Sequence, residues 1–198
     1  MITPPTPDNE NERQRALDAT GLLNRDSEKR FDRLTRLARQ LFSVPIALVS
    51  LIDHERQWFK SRQGLDAEET PRNLSFCGHA ILSSSPLIVE NALEDPRFAT
   101  NPLVTEAPKI RFYAGAPLHT VDGYRIGTLC LIDTQPRSFS AEQIGMLVDL
   151  AATAEELIKV DEISKQSYLS LETELRASRE RLTKLVAQLP GTVYQFRR

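Results

Sequence analysis

The chain has 198 residues, 40% of them hydrophobic and 26% charged, with a mean hydropathy of -0.34, values of a globular rather than a disordered chain. Its 25 Lys and Arg stand against 27 Asp and Glu, so the net charge of -2 excludes the broad basic field that nucleic acid or anionic lipid would need. No apolar stretch approaches the ~20 residues of a membrane span, and the start lacks the basic and apolar regions of a signal peptide, so a cytoplasmic location is expected, with neither nucleic acid nor membrane as partner.

Residues 1–11, rich in proline and poor in large apolar side chains, read as a disordered lead-in. A short helix is expected over 12–23. A stronger one follows Asp26 or Ser27, where Phe31, Leu34, Leu37, Ala38, Leu41 and Phe42 recur at helical spacing, and Pro45 ends it. The apolar run 46–52 suits a central strand covered on both faces. Asp53 to Arg56 then turns into a second strand over 57–61. Asn73 or Ser75 can cap a small helix through 79–82, and 87–90 is a third strand. The segment 94–102 reads as loop, followed by strands over 110–119 and 125–133 around the turn at 121–123.

The last third differs in kind. Ser140 with Gln143 forms a capping box, and no proline follows until Pro190, so an uninterrupted helix would run about 75 Å. Tyr168, Leu171, Leu175, Ser178, Leu182, Leu185 and Leu189 alternate by threes and fours as a dimer seam whose phase, run backwards, meets Leu157, with polar Asp161 and Ser164 as a weak point in it. Alone in water each large side chain would forgo roughly 1.5–3 kcal/mol of burial, so a homodimer through this helix is expected. Beyond Pro190 the chain opens what reads as another strand with no sheet to join, as at the start of a further domain.

Several ordered blocks resemble a GAF domain of bacterial signalling proteins. They are Ile46 to Asp53, Arg56 to Ser61, Ser75 to Ile81, Phe112 to Leu118 and Gly127 to Asp133. The resemblance implies an α+β fold: a GAF-like antiparallel sheet of five to six strands flanked by helices, with the long C-terminal helix forming a dimeric coiled coil. It places a GAF domain at 12–155, after the lead-in 1–11 and before a signalling helix at 156–189, while the tail Leu185 to Phe196 is similar to the entry of a PAS domain, which gives the start of a truncated PAS domain at 190–198. That layout implies a non-catalytic sensory module that binds a small molecule, or signals through dimer packing, to a following PAS and output domain, with diguanylate cyclase the expected output. The alternatives are the input domain of a sensor histidine kinase, a GAF enzyme like the free methionine sulfoxide reductases, and a dimerisation platform with an empty pocket.

The pocket that the resemblance implies has Trp58, Phe76, Cys77, His79, Arg111, Phe112, Tyr113, Thr128 and Cys130 as its candidate lining, with Arg111 available for an anion. Ordinary core packing is the competing reading of the aromatics. Cys77 and His79 would share a side in a strand but diverge by about 200° on a helix. Reductase chemistry needs a second, resolving cysteine, and Cys130 is expected as a small buried residue of its strand, so no catalytic residue and no metal site is assigned. No cofactor is called for. Bilin attachment is disfavoured, because the family's chromophore cysteine is followed by histidine, whereas Gly78 follows Cys77 and Leu131 follows Cys130. The cyclic-nucleotide signature of the family is also incomplete, with Asp133-Thr134 in place of Asn-Lys and Gln143-Ile144 in place of Asp-Glu.

Overall fold

A computed structural model describes residues 1–24 and 28–188. They fall into two units, Met1–Glu162 and a second beginning at Ile163. In the first, a six-stranded antiparallel sheet has the order β3-β2-β1-β6-β5-β4. The strands are β1 (Ile46–Ile52), β2 (Arg56–Gln63), β3 (Glu69–Pro71), β4 (Leu87–Val89), β5 (Phe112–His119) and β6 (Arg125–Asp133). β1 lies between β2 and β6 and is buried at every residue, which is why it reads as an unbroken apolar run rather than an alternating one. In β2, Phe59 pairs with Ser50 and Ser61 with Val49, so Lys60 is the extra residue of a bulge.

One sheet face packs against α1 (Glu10–Thr20), α2 (Lys29–Leu41) and the first part of α5 (Ala141–Gln188), through Leu17, Phe31, Leu34, Ala38, Leu147, Ala151, Ala154 and Ile158. The helical spacing read in α2 is therefore its buried stripe; the candidate caps Asp26 and Ser27 lie outside the described residues. The opposite face carries Ile46, Leu48, Ile52, Phe59, Tyr113, Cys130 and Ile132, covered by α3 (Phe76–Ala80), Phe98 and Val104, the last in the short helix α4 (Pro102–Thr105). Ser75 caps α3 by accepting from the Gly78 amide at 2.9 Å. The capping box at α5 forms in both directions, Gln143 N donating to Ser140 Oγ at 3.2 Å and Ser140 N to Gln143 Oε1 at 2.9 Å.

Three local features depart from the sequence reading. β3 is only three residues long and pairs Trp58 with Glu69, too short to leave a periodic signal. Residues 102–105 form one helical turn that begins at the last residue of the segment read as loop, where no element was expected. The lead-in 1–11 lies against the domain: Ile2 N donates to Arg97 O at 2.9 Å, His79 Nε2 meets Ile2 O at 2.9 Å, and Pro4 is buried over Gly78. The prolines help here, because a chain already restricted in φ loses less entropy on docking.

α1 is anchored by a charged cluster. Glu10 accepts from Arg13 Nε at 2.8 Å, Gln14 Nε2 at 2.8 Å and Arg72 Nη1 at 2.6 Å. Burial pushes the Glu10 carboxyl up, but these donors outweigh it and hold it far below its ordinary 4.5. A depressed carboxylate stabilises the fold above its unfolded pKa, and that contribution fades as pH falls through the folded value. Glu10→Gln should therefore lower the melting temperature most at neutral pH, and the gap from the parent should narrow as pH falls below 4.5 in a thermal-melt series.

Candidate functional site

The face covered by α3 contains a cavity of about 410 Å³. Ile46 and Leu48 of β1, Gln57 and Phe59 of β2, Tyr113 of β5 and Ile132 of β6 form its floor. Its walls are Gly64 to Ala67 with Thr70, Phe76 and Cys77 of α3, and Leu103 with Ala107, Pro108 and Ile110. The lining is mostly hydrocarbon, with Gln57, Thr70, Asp66 and the Cys77 sulfur as its side-chain polar groups.

Of the nine residues expected around a pocket, Phe76, Cys77 and Tyr113 line this cavity. Cys130 lies just behind them on β6, fully buried, and Thr128 two residues before it on the same face donates to or accepts from Ser50 Oγ at 3.1 Å. Trp58 and Phe112 belong to the opposite face, because neighbouring residues of a strand point to opposite sides: Phe112 packs with Phe139 (ring centroids 4.7 Å apart), and Trp58 lies under the Lys60 ammonium. Arg111 turns its guanidinium back to the carbonyls of Val104 and Ile110, at 2.8 and 3.0 Å, so it does not present an anion site to the cavity. His79 sits on the outer side of α3, edge-on to Phe98 and bonded to Ile2 O, as the helical divergence from Cys77 requires. Gln57, Leu65, Asp66, Thr70, Leu103 and Ile110 were not found by sequence reasoning. Loops and alternate strand positions carry no composition signal for a cavity; the alternation of β2 around Phe59 is the one clue that would have pointed to Gln57.

The polar centre of the site is a cysteine pair. Cys77 Sγ and Cys130 Sγ are 3.7 Å apart, both buried and both thiols. Tyr113 Oη donates to Cys77 Sγ at 3.3 Å. Burial pushes the Cys77 thiol up, yet its polar neighbours Cys130, Ser50, Thr128 and Tyr113 outweigh it and hold it below the ordinary thiol range. Cys130, sharing the proton with Cys77 and buried, is pushed well above the ordinary thiol range. Tyr113 is likewise held protonated, by burial and by the neighbouring sulfurs, so it remains a donor. The pair is thus asymmetric, with Cys77 the more acidic of the two sulfurs and Cys130 the one that holds its proton more firmly.

Gly115 makes this arrangement possible. It faces Cys130 across β5 and β6, and a Cβ there would stand 2.1 Å from Tyr113 Oη. Gly115→Ala should displace the Tyr113 ring and raise the Cys77 pKa, which the pH dependence of thiolate absorbance or of alkylation rate would register as a shift toward the ordinary value. Among the described residues no group of three or more His, Cys, Asp or Glu side chains gathers to hold a metal ion, and no helix is long and apolar enough to cross a membrane.

A family model for the GAF domain matches residues 26–158, and the chain belongs to that family. It is 47% identical over 152 residues to the cyclic di-GMP phosphodiesterase PA2567 of Pseudomonas aeruginosa, a match covering 76% of this chain but 26% of that relative, so the chain spans about a quarter of the relative's length. The fold is shared with the PixJ GAF domain of Thermosynechococcus elongatus, with a TM-score of 0.59 at 14% identity over 79% of this chain and 94% of that one. It is also shared with the free methionine-R-sulfoxide reductase of Neisseria meningitidis, with a TM-score of 0.54 at 15% identity over 77% and 89% of the two chains. At these identities the two structures speak for the α+β GAF fold alone.

Proposed function

We propose that the chain is a non-catalytic sensory GAF module that takes a small, largely apolar, uncharged ligand into the cavity under α3. The change is handed along α5, in a homodimer, to a following PAS and output domain that turns over cyclic di-GMP. The cavity carries this reading. Its volume lies within the range of small-molecule sites, and Gln57, Thr70 and Asp66 at its edge offer orienting hydrogen bonds. Arg111 turns away from it, which disfavours an anionic ligand such as a cyclic nucleotide. The relative's activity favours a phosphodiesterase output over the cyclase that the layout alone implied.

Native mass spectrometry of the purified protein tests the ligand. A co-purified small molecule is expected, and it should be lost in Leu103→Trp, which fills the cavity from its partly buried wall. A protein that carries nothing and binds nothing from a panel of small apolar compounds would favour the empty dimerisation platform.

The dimer rests on α5. Within the second unit Tyr168, Leu171, Leu175, Leu182 and Leu185 are between 56 and 68% exposed, an apolar series that a lone helix leaves in water. Leu157, assigned to the same seam, packs partly against the core of its own domain, since the stripe buried there runs through Leu147, Ala151, Ala154 and Ile158. Asp161 continues that stripe and pairs with Arg30 of α2 instead of standing unpartnered on the seam. Leu189 and the PAS-like residues 190–198 lie outside the described residues. Leu175→Asp with Leu182→Asp should convert a dimer into a monomer in analytical ultracentrifugation while leaving the melting temperature of the GAF unit nearly unchanged.

A further inference from the structure

The cavity and the cysteine pair together can do what neither can do alone. We propose that Cys77 and Cys130 form a reversible dithiol–disulfide site, oxidised by a small organic hydroperoxide that enters through the apolar cavity. This inference stands apart from the identity of any resident ligand, because it rests on the sulfurs and on the cavity wall that exposes one of them.

Four observations carry it. The sulfurs are 3.7 Å apart, so closing to a disulfide bond of about 2.05 Å needs a movement of only ~1.7 Å. Cys77 sits on α3, a helix of five residues, whereas Cys130 is held in β6 between two paired strands, so the mobile partner is the one on the small element. Cys77 lines the cavity and Cys130 does not, which assigns the attacking sulfur to Cys77 and the resolving sulfur to Cys130. Tyr113 Oη donates to Cys77 Sγ at 3.3 Å, a hydrogen bond that favours the thiolate, the nucleophilic form. A hydrocarbon lining also concentrates an alkyl hydroperoxide relative to hydrogen peroxide, because burying the alkyl group is favourable and burying a second hydroxyl is not.

The chemistry balances in two steps. The Cys77 thiolate attacks the terminal oxygen of the hydroperoxide, the O–O bond breaks, and the alkoxide released takes a proton from water to become the alcohol. Cys77 is then a sulfenic acid. The Cys130 sulfur attacks the Cys77 sulfur, the S–O bond breaks, and the departing hydroxide takes the Cys130 proton to leave as water. Two thiols lose two electrons between them, and the hydroperoxide gains both. An external dithiol reverses the bond by exchange, first forming a mixed disulfide.

Closure would tie α3 to the central strand β6 and draw Cys77 out of the cavity wall, so the oxidised protein should also differ in ligand occupancy.

The test treats the fully reduced 198-residue protein with an equimolar amount of tert-butyl hydroperoxide under non-denaturing conditions, followed by intact mass and peptide mapping without reductant. The expected result is a mass lower by two hydrogens, a Cys77–Cys130 crosslinked peptide, and full reversal by dithiothreitol. Cys130→Ala should stop at a Cys77 sulfenic acid, trapped by dimedone, and Cys77→Ala should remain unmodified. Hydrogen peroxide at the same concentration should act several-fold more slowly. Should a variant fail to fold by circular dichroism, the parent protein alone decides through its crosslink and its preference for the organic peroxide. Thiols left intact under conditions that oxidise glutathione completely, crosslinks only between chains, or oxidation by free methionine sulfoxide but not by hydroperoxide would each overturn the proposal.

Discussion

Gly127→Val should unfold the domain or lower its melting temperature more than a substitution at any exposed position. Gly127 pairs with Leu51 where β6 meets β1, and a Cβ there would stand 2.0 Å from the Ser50 carbonyl oxygen and 3.0 Å from the Leu51 Cα. Both obstacles are backbone of the most buried strand, so neither can rotate aside. Relief requires separating two central strands, which gives up ladder hydrogen bonds and packing on both faces. A cost of about 3 kcal/mol or more follows, at the upper end of overpacking penalties. For a domain of this size that corresponds to roughly 6–12 °C in a thermal melt. Gly115→Ala has a different character, since the atom it meets is the end of a side chain and the damage should fall on the cysteine pair. A Gly127→Val protein that melts within a degree or two of the parent would mean that β1 and β6 do not approach as described.

Phe76→Ala is the second large effect, and it joins stability to the cavity. Phe76 is the first residue of α3, 3% exposed, stacked on Phe98 with centroids 3.9 Å apart and planes 11° from parallel, and tilted against Tyr113 at 5.2 Å. Truncation removes this stacking and leaves a void that rigid strands on one side cannot fill. Loss of a buried Phe side chain costs about 3–5 kcal/mol. The melting temperature should fall by roughly 6–20 °C. Phe76→Leu, which keeps most of the volume, should cost under about 1.5 kcal/mol. Because Phe76 also walls the cavity, Phe76→Ala should accept larger apolar ligands than the parent. A melt near that of Phe76→Leu would indicate that α3 collapses into the void and closes the cavity.

The cysteine pair shows where sequence reasoning stopped. Cys77 and Cys130 are separated by 53 residues and lie on a helix and a strand that meet only because β6 crosses back to pair with β1 and β5. Cys130 taken alone reads as a small buried residue of its strand and Cys77 as pocket lining, and each is that; their juxtaposition is a property of strand order. The candidate aromatics show a second limit. Phe112 and Tyr113 are adjacent, so alternation guarantees that one faces away from any pocket, but the face that receives α3 is decided by which helices pack where. Asp161 is similar: it reads as a weak point in the α5 seam until it is found paired with Arg30 of α2.

Local chemistry was sufficient wherever a signal is carried by a few consecutive residues. The apolar run of β1, the capping box of α5, the Ser75 cap, the turn before Arg56 and the helical stripe of α2 were all legible, and with the ordered blocks they determined the α+β GAF fold. The tertiary structure alone decided the cavity's lining, the docking of the first residues over Gly78, the pairing of Asp161 and the meeting of two thiols. The physical reason is one of range. Hydrophobic periodicity and capping act over three or four residues, whereas the sheet order brings together groups that share no local signal, and it is there that two buried thiols meet beside the Tyr113 hydroxyl.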